Sequence, residues 1–205
     1  MVRWLLQERY WIQSYYIMRV ISGTFRGKKI LEPKDTLTRP LKDLTKESIF
    51  NILNHSNKFE INLKNSNILD LFSGVGSFGI ECLSRGAKQV VFAEKYNVVL
   101  PILKKNLQSL KLIENFEIIE KDIYDINFFK SLNKKFDVIF MDPPYKDKNL
   151  DLLLNNIKNE NVLNEKGVLV VHRHKNEKDL IPGKLKVIEE KKYGLSKIIF
   201  FSISN

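Results

Sequence analysis

The sequence predicts an α/β fold: a mostly parallel, seven-stranded sheet with an antiparallel terminal hairpin. Three observations predict it. From Asn67 onward, short apolar runs alternate with stretches of helical periodicity. A glycine-rich turn, Ser73-Gly-Val-Gly-Ser-Phe-Gly79, follows the first run directly and opens a helical pattern. At the carboxyl end, two strand-like runs adjoin with only a turn at Gly194 between them, so the alternation closes on an antiparallel pair.

The elements follow in order. Residues 1–17 are aromatic and hold both tryptophans, but Glu8, Arg9 and Gln13 interrupt any apolar core. They read poorly as a signal peptide and are expected to be an N-terminal extension or a small extra helix rather than a functional segment. From Met18, RVISGTFRGKKILEP alternates and carries Gly23 and Gly27, which predicts a short β-hairpin. Thr38-Arg39-Pro40 leads into a helix over about 42–53, with Leu44, Ile49, Ile52 and Leu53 on one side. Residues 54–65 are polar and Asn-rich and read as a linker.

Strands are then predicted at 68–72, 89–94, 116–122, 136–141 and 167–172, with the terminal pair at 185–194 and 195–204. Helices are predicted from the glycine turn to about Arg85, at 97–111 and at 149–158, while 125–132 fits either a short helix or a loop. The chain divides into an extension (1–17), a basic hairpin and helix (18–65) and the α/β domain (66–205).

Composition narrows the function classes. With 205 residues, 43% apolar, the chain can bury a substantial core. A single cysteine, Cys82, excludes an internal disulfide and a cysteine-based metal cluster, and suits a reducing compartment. No window approaches the roughly 18 continuous apolar residues of a membrane span. The formal net charge is +10, and the basic excess is concentrated. Between Arg19 and Lys46, eight Lys/Arg stand against three acids, a surplus of five. A concentrated basic surface points to a polyanion, because neutralising phosphates releases counterions.

The glycine turn is G-x-G-x-x-G between strand and helix, where Gly74 and Gly76 allow a sharp bend and close approach of a ligand. Glu94 follows 20 residues after Gly74 at the end of the next strand, where a carboxylate can accept both hydroxyls of a ribose. That spacing also fits a dinucleotide. Two acids favour S-adenosylmethionine instead. Asp70, in D-x-F-S-G-x-G, suits a cationic, amino-acid-bearing ligand and would repel a pyrophosphate. Asp122, after the third strand, can accept from an adenine amino group.

FDVIFMDPPY (136–145) ends an apolar strand on a carboxylate and two prolines. Pro143 and Pro144 remove two backbone donors and stiffen the turn. The Asp142 carboxylate and a proline carbonyl are two acceptors, matched to the two hydrogens of a planar exocyclic amine. Holding both would orient the nitrogen toward a methyl donor and stabilise its developing charge. Tyr145 offers a face for base stacking.

Together these motifs resemble a class I, Rossmann-like S-adenosylmethionine-dependent methyltransferase of the amino-methylating [DNS]-P-P-[YFW] group. The ordered stretches MRVISGTFRGKKI, TRPLKDLTKESIFNIL, NILDLFSGVGSFGIECLSRGA, VVFAEK, FDVIFMDPPY and YGLSKIIFF resemble the bacterial small-subunit (16S) ribosomal RNA guanine-N2 methyltransferases. Lys46 stands where that family is expected to have arginine, and Ser73 where alanine is usual.

The resemblance implies that Asp70, Phe72, Gly74 and Gly76 line the methionine end of the cofactor, that Glu94 and Lys95 meet the ribose, and that Asp122 and Ile123 meet the adenine. Asp142, Pro143 and Tyr145 would hold the guanine, beside Pro144. Arg19, Arg26, Lys28, Lys29 and Arg39 would grip RNA of the small ribosomal subunit. It further implies a cytoplasmic monomer without metal or membrane attachment. His172 and His174 read as solvated strand-end residues, and Cys82 as a core residue. The rivals are another base-amino methyltransferase, a nicotinamide-dependent oxidoreductase, which leaves Asp70 and the DPPY turn unexplained, and a non-catalytic RNA-binding assembly factor.

Overall fold

The computed structural model describes residues 18–33, 41–111, 114–144, 146–183 and 185–203. The 1–17 extension, Arg39 and Tyr145 therefore lie outside the described residues.

Seven strands form one sheet: β1 (Asn67–Leu71), β2 (Gln89–Ala93), β3 (Phe116–Ile119), β4 (Phe136–Met141), β5 (Leu163–His174), β6 (Leu185–Tyr193) and β7 (Ser196–Ile203). Their order is β3-β2-β1-β4-β5-β7-β6. The first five pair in parallel, and β7 enters antiparallel between β5 and β6. This is the predicted sheet with its predicted terminal hairpin. Because β7 lies inside the sheet, Ile198, Ile199, Phe200 and Phe201 are all buried, whereas β6 at the edge is largely exposed.

Among the described residues four α-helices cover the sheet, α1 (Asp43–His55), α2 (Ser77–Ser84), α3 (Leu100–Gln108) and α4 (Leu150–Asn159), with a short 3-10 helix at Phe129–Leu132. Alternate residues of each central strand feed two cores. Ile68, Val90, Phe92, Val138, Phe140 and Val170 pack with α1, α2 and α3, while Leu69, Val91, Ile139, Met141 and Val171 pack with α4. Burial on both faces explains why these strands read as continuous apolar runs.

The amino-terminal arm departs from the predicted hairpin. Its strands reduce to one antiparallel bridge, Arg19 to Lys29. Gly27 N donates to Val20 O and Val20 N to Lys28 O, each at 2.9 Å, so residues 27 and 28 both oppose Val20 in a β-bulge. The arm docks along α2 instead of pairing at length. The buried carboxylate of Glu81 accepts from Ile21 N (2.7 Å), Ser22 N (2.9 Å) and Arg85 Nε (2.8 Å), and Thr24 N donates to Ser84 O (2.8 Å).

Helix α1 also turns a different face inward. Leu44 is 72% exposed, and Thr45, Lys46, Ile49, Phe50 and Leu53 are buried. Phe50 stacks on Phe78 of α2 (5.1 Å), which stacks on Phe140 of β4 (4.1 Å). Met18, Val20, Ile30 and α1 thus share one apolar cluster with the sheet. The 54–65 segment joins it through Leu63, Phe59 and Ile61, with Phe59 5.5 Å from the Phe200 ring, so it packs rather than swinging free.

Candidate active site

The site lies at the carboxyl edge of the parallel strands, where open α/β sheets bind ligands. It is built from the loops after β1, β2, β3 and β4.

The first loop is the glycine turn. Gly74 (φ 54) and Gly76 (φ 85) adopt left-handed backbone conformations that side chains disfavour. A Cβ on Gly76 would come within 2.6 Å of Leu103 Cδ1, whereas one on Gly74 would meet nothing nearer than Phe72 O at 4.0 Å. The turn is therefore packed behind Gly76 and open before Gly74. Gly79 serves close packing of helix on sheet: its Cβ would lie 2.3 Å from the Phe92 ring. The Ser73 hydroxyl is buried without a partner among the described residues.

Asp70 is 1% exposed and accepts from Gly79 N (2.9 Å), fastening α2 to β1. Burial pushes its carboxyl well above the usual range. The Gly79 N–H pulls the other way, and the charges of Asp142 and Glu94 add to the push. Glu94 crosses to the turn, accepting from Gly74 N (2.8 Å), while its second oxygen accepts from Lys95 N (2.9 Å) and Tyr96 N (2.8 Å). It thus braces the glycine turn from the neighbouring strand.

After β3, exposed Asp122 accepts from Lys95 Nζ (2.7 Å) and from Tyr124 N (3.0 Å). The Lys95 bond holds its carboxyl below the ordinary value. Ile123 is buried beside it. The Tyr124 ring meets Phe72 edge-on at 6.2 Å, and its hydroxyl donates to Asp147 Oδ2 (2.6 Å). Phe72 (φ 58) is thereby presented over the turn.

After β4, Pro143 is buried and Pro144 exposed. Asp147 N donates to Pro144 O (2.8 Å), closing a tight turn. Asp142 Oδ1 lies 2.8 Å from His172 Nδ1. Here the structure corrects the sequence reading, since His172 is 7% exposed rather than solvated. Burial draws the His172 pKa down, but the Asp142 charge and hydrogen bond outweigh it, and the net direction is up.

Arg173, on the opposite face of β5, is also fully buried. It bonds Asp179 (2.7 Å from Nη2) and Asp147 O (3.0 Å), tying the loop after β5 to the loop after β4. The only sequence signal for either residue is a histidine and an arginine directly after an apolar strand.

The basic arm spreads along α2. Buried Lys46 donates to Arg19 O (2.7 Å) and Ser77 Oγ (3.2 Å), at the start of α2, so it makes a packing contact. Burial lowers its pKa against the opposing pull of Glu81 and Asp43. Arg19 and Lys29, both exposed, flank that end. Lys28 Nζ reaches Ser109 O, and exposed Arg26 sits in the tip held at Ser84. An eight-residue helix rises roughly 10 Å. The arm's cations are thus divided between the cofactor end and the far end of α2.

The family model described as conserved hypothetical protein 95 matches residues 18–202. The ribosomal RNA small subunit methyltransferase D of Haemophilus influenzae is 33% identical over 179 residues, covering 87% of this chain and 90% of that protein. Its namesake in Escherichia coli strain K12 is 28% identical over 154 residues, covering 75% and 73%. A solved structure from Haemophilus influenzae, whose description names a methylase, is 30% identical. It superposes with a TM-score of 0.73 over 92% of this chain and 99% of that one. With the arm, the glycine turn and the carboxylate-proline turn all inside the matched span, the chain belongs to the conserved hypothetical protein 95 family.

Proposed function

We propose that the chain transfers a methyl group from S-adenosylmethionine to the exocyclic N2 of a guanine in small-subunit ribosomal RNA. The observation that carries this reading is the placement of Asp142 and the two prolines directly after β4, the strand beside β1 and its glycine turn, with Asp70 aligned with Phe140 two residues before Asp142. Acceptors for an amine and a cradle for a nucleoside cofactor then share one edge. The substrate comes from the relatives, whose names specify ribosomal RNA of the small subunit.

The residues fit the cofactor. Open space before Gly74 and the unpartnered Ser73 hydroxyl leave room and a polar contact at the turn. Asp70, Phe72, Gly74 and Gly76 border the methionine end, Glu94 and Lys95 the ribose, and Asp122 and Ile123 the adenine. S-adenosylmethionine supplies an electrophilic methyl group on a sulfonium.

On the substrate side, Pro144 O is already taken by Asp147 N, which leaves Pro143 O as the proline acceptor. Asp142 Oδ1 is engaged by His172, which leaves Oδ2. These two acceptors hold the two amine hydrogens and aim the nitrogen lone pair. The Asp142 charge stabilises positive charge developing on nitrogen, and Oδ2 accepts the proton that leaves. Tyr145 follows directly in the chain to stack the base, which must be swung out to reach the pocket.

Arg19 and Lys29 grip RNA beside the site, Arg26 and Lys28 extend the contact away from it, and Arg39 joins the same RNA-binding set by the family resemblance. The 18–65 part serves as the RNA-binding extension of the 66–205 methyltransferase domain. The protein acts as a cytoplasmic monomer. No described helix is long and apolar enough to cross a membrane.

The test offers labelled S-adenosylmethionine with unmethylated small subunits, naked ribosomal RNA and DNA, followed by nucleotide mapping. Label is expected on guanine N2 of small-subunit RNA. Label on DNA alone, or on a ring nitrogen or carbon, overturns the reading.

A further inference from the structure

We infer that His172 is a positioning residue for Asp142, fixing which carboxylate oxygen faces the target amine. The inference rests on the methyl-transfer reading above and deepens it.

Strand β5 runs Val168-Leu-Val-Val171, all buried, and His172 continues the strand with only 7% of its surface exposed. An imidazole in such a place is costly unless its polar atoms are matched. Its Nδ1 is matched by Asp142 Oδ1 at 2.8 Å. Its Nε2 is buried and has no hydrogen-bond partner among the described residues. The ring is therefore held on its polar side by Asp142, and among the described residues no wider network accounts for its presence. Its register neighbour on β7 is Ile198, an apolar residue, and the adjacent Arg173 and Lys197 point to the opposite face.

An ionised carboxylate only accepts, so the contact requires Nδ1 to carry the hydrogen, whether the ring is neutral or charged. The terminal torsion of an aspartate is otherwise loosely held. With one oxygen bonded to a ring buried in the sheet, the carboxylate plane is set and Oδ2 is directed away from His172. A group that must meet an amine hydrogen in one orientation gains from this, because small misplacements of reacting groups cost large factors in rate.

The experiment compares His172→Leu and His172→Asn in the full chain, using labelled S-adenosylmethionine and unmethylated small subunits. Leucine removes the donor and keeps bulk. The asparagine amide nitrogen occupies nearly the place of Nδ1 and keeps the donor. His172→Leu is expected to lower kcat by about ten- to a hundredfold, with KM for the RNA and Kd for S-adenosylmethionine held within about twofold. His172→Asn is expected to stay within about threefold of the parent chain in kcat. Equal kcat for His172→Leu and the parent overturns the inference, as does an asparagine variant as slow as the leucine one. Cofactor affinity falling in step with kcat overturns it too.

If His172→Leu fails to fold, His172→Gln replaces it. Glutamine carries its amide beyond the Nδ1 position, so a slow glutamine variant beside a fast asparagine one supports the inference, and equal rates refute it. A parent chain that methylates RNA, with Asp142→Ala silent and His172→Leu fully active, sinks only this inference. A silent parent chain sinks the methyl-transfer reading as well.

Discussion

Asp70 lies on β1 and Asp142 directly follows the adjacent β4, two residues beyond Asp70's register partner Phe140, and their surroundings differ in kind. Asp70 is almost wholly buried and spends an oxygen on the backbone of α2. The Asp142 side chain is 22% exposed and is bonded to another side chain, His172, at the rim of the sheet. The β1–β2–β3 half is a braced frame: Asp70 fastens the helix, Glu94 the turn, and Lys95 the Asp122 loop. The β4–β5 half carries a carboxylate with one oxygen to offer, on loops joined by the Arg173 clamp. On the proposed reading, one half holds the cofactor still and the other meets the amine hydrogen. The same residue type does both because burial and partner decide what a carboxylate does.

The largest effect should separate the halves by readout. Asp142→Ala is expected to cut methyl transfer by about 10²–10³, the usual cost of removing one group aimed at developing charge, while S-adenosylmethionine still binds. Glu94→Ala is expected to weaken cofactor binding, since it removes the brace of Gly74 as well as the ribose acceptor. Isothermal titration beside a transfer assay reads both. Equal loss of cofactor affinity in the two variants would erase the distinction.

Much of the frame is legible in the sequence, because a parallel strand buried on both faces is a continuous apolar run and a glycine turn has a spacing. Strand β4 falls at 136–141 as expected. Strand β5 starts four residues early, at Leu163, because Asn164, Glu165 and Lys166 are polar and carry no strand signal. His172, Arg173 and Lys46 escape a reading by pattern for a common reason. Each is polar, and each is buried by partners on another element or loop: Asp142 for His172, Asp179 and Asp147 O for Arg173, Arg19 and Ser77 for Lys46. Periodicity reports which face is apolar, not which charge finds a partner on another element. Helix α1 shows the same limit, since Leu44 is exposed while Lys46, whose cation is satisfied, is buried.

A second effect sharpens the picture of the frame. Gly79→Ala would place a Cβ 2.3 Å from Phe92 Cε1 and 2.9 Å from Val90 Cγ1, against strand side chains packed in the core. Overpacking of this kind costs about 1–3 kcal/mol, which for a chain of this size lowers Tm by roughly 2–4 °C per kcal/mol. Cofactor affinity should fall too, because α2 carries the end of the glycine turn. An unchanged melting curve would show that the contact between α2 and β2 is looser than the structure has it.

A smaller effect concerns the arm. Reversing Arg19 and Lys29 to glutamate should weaken RNA binding more than reversing Arg26 and Lys28, since the first pair flanks the cofactor end of α2. Each lost phosphate contact should reduce the log–log salt slope by about 0.7–0.9, with cofactor affinity unaffected. The reverse ranking in a filter-binding series would place the RNA along the far end of the helix.

The smallest effect is the pH dependence of stability. The folded-state pKa of His172 is raised above its ordinary value of about 6.5, burial opposing and Asp142 prevailing. The folded state thus binds the proton more tightly than the unfolded chain. The stability this contributes is fully present below about pH 6.5 and is lost as pH rises through the folded value. Asp70 acts in the same sense through burial, its contribution declining as pH rises through its own raised value. The parent chain and His172→Asn both retain Asp70, so the difference between their unfolding free energies isolates the histidine. Between about pH 6 and 8.5 that difference should shrink, by about 1.4 kcal/mol for every pH unit across which the folded protein holds the proton and the unfolded chain has lost it. A difference that grows with pH over that range would mean that His172 stays neutral in the folded protein where the unfolded chain's histidine is charged. Asp142 would then face the amine with a hydrogen bond at its back but no compensating charge.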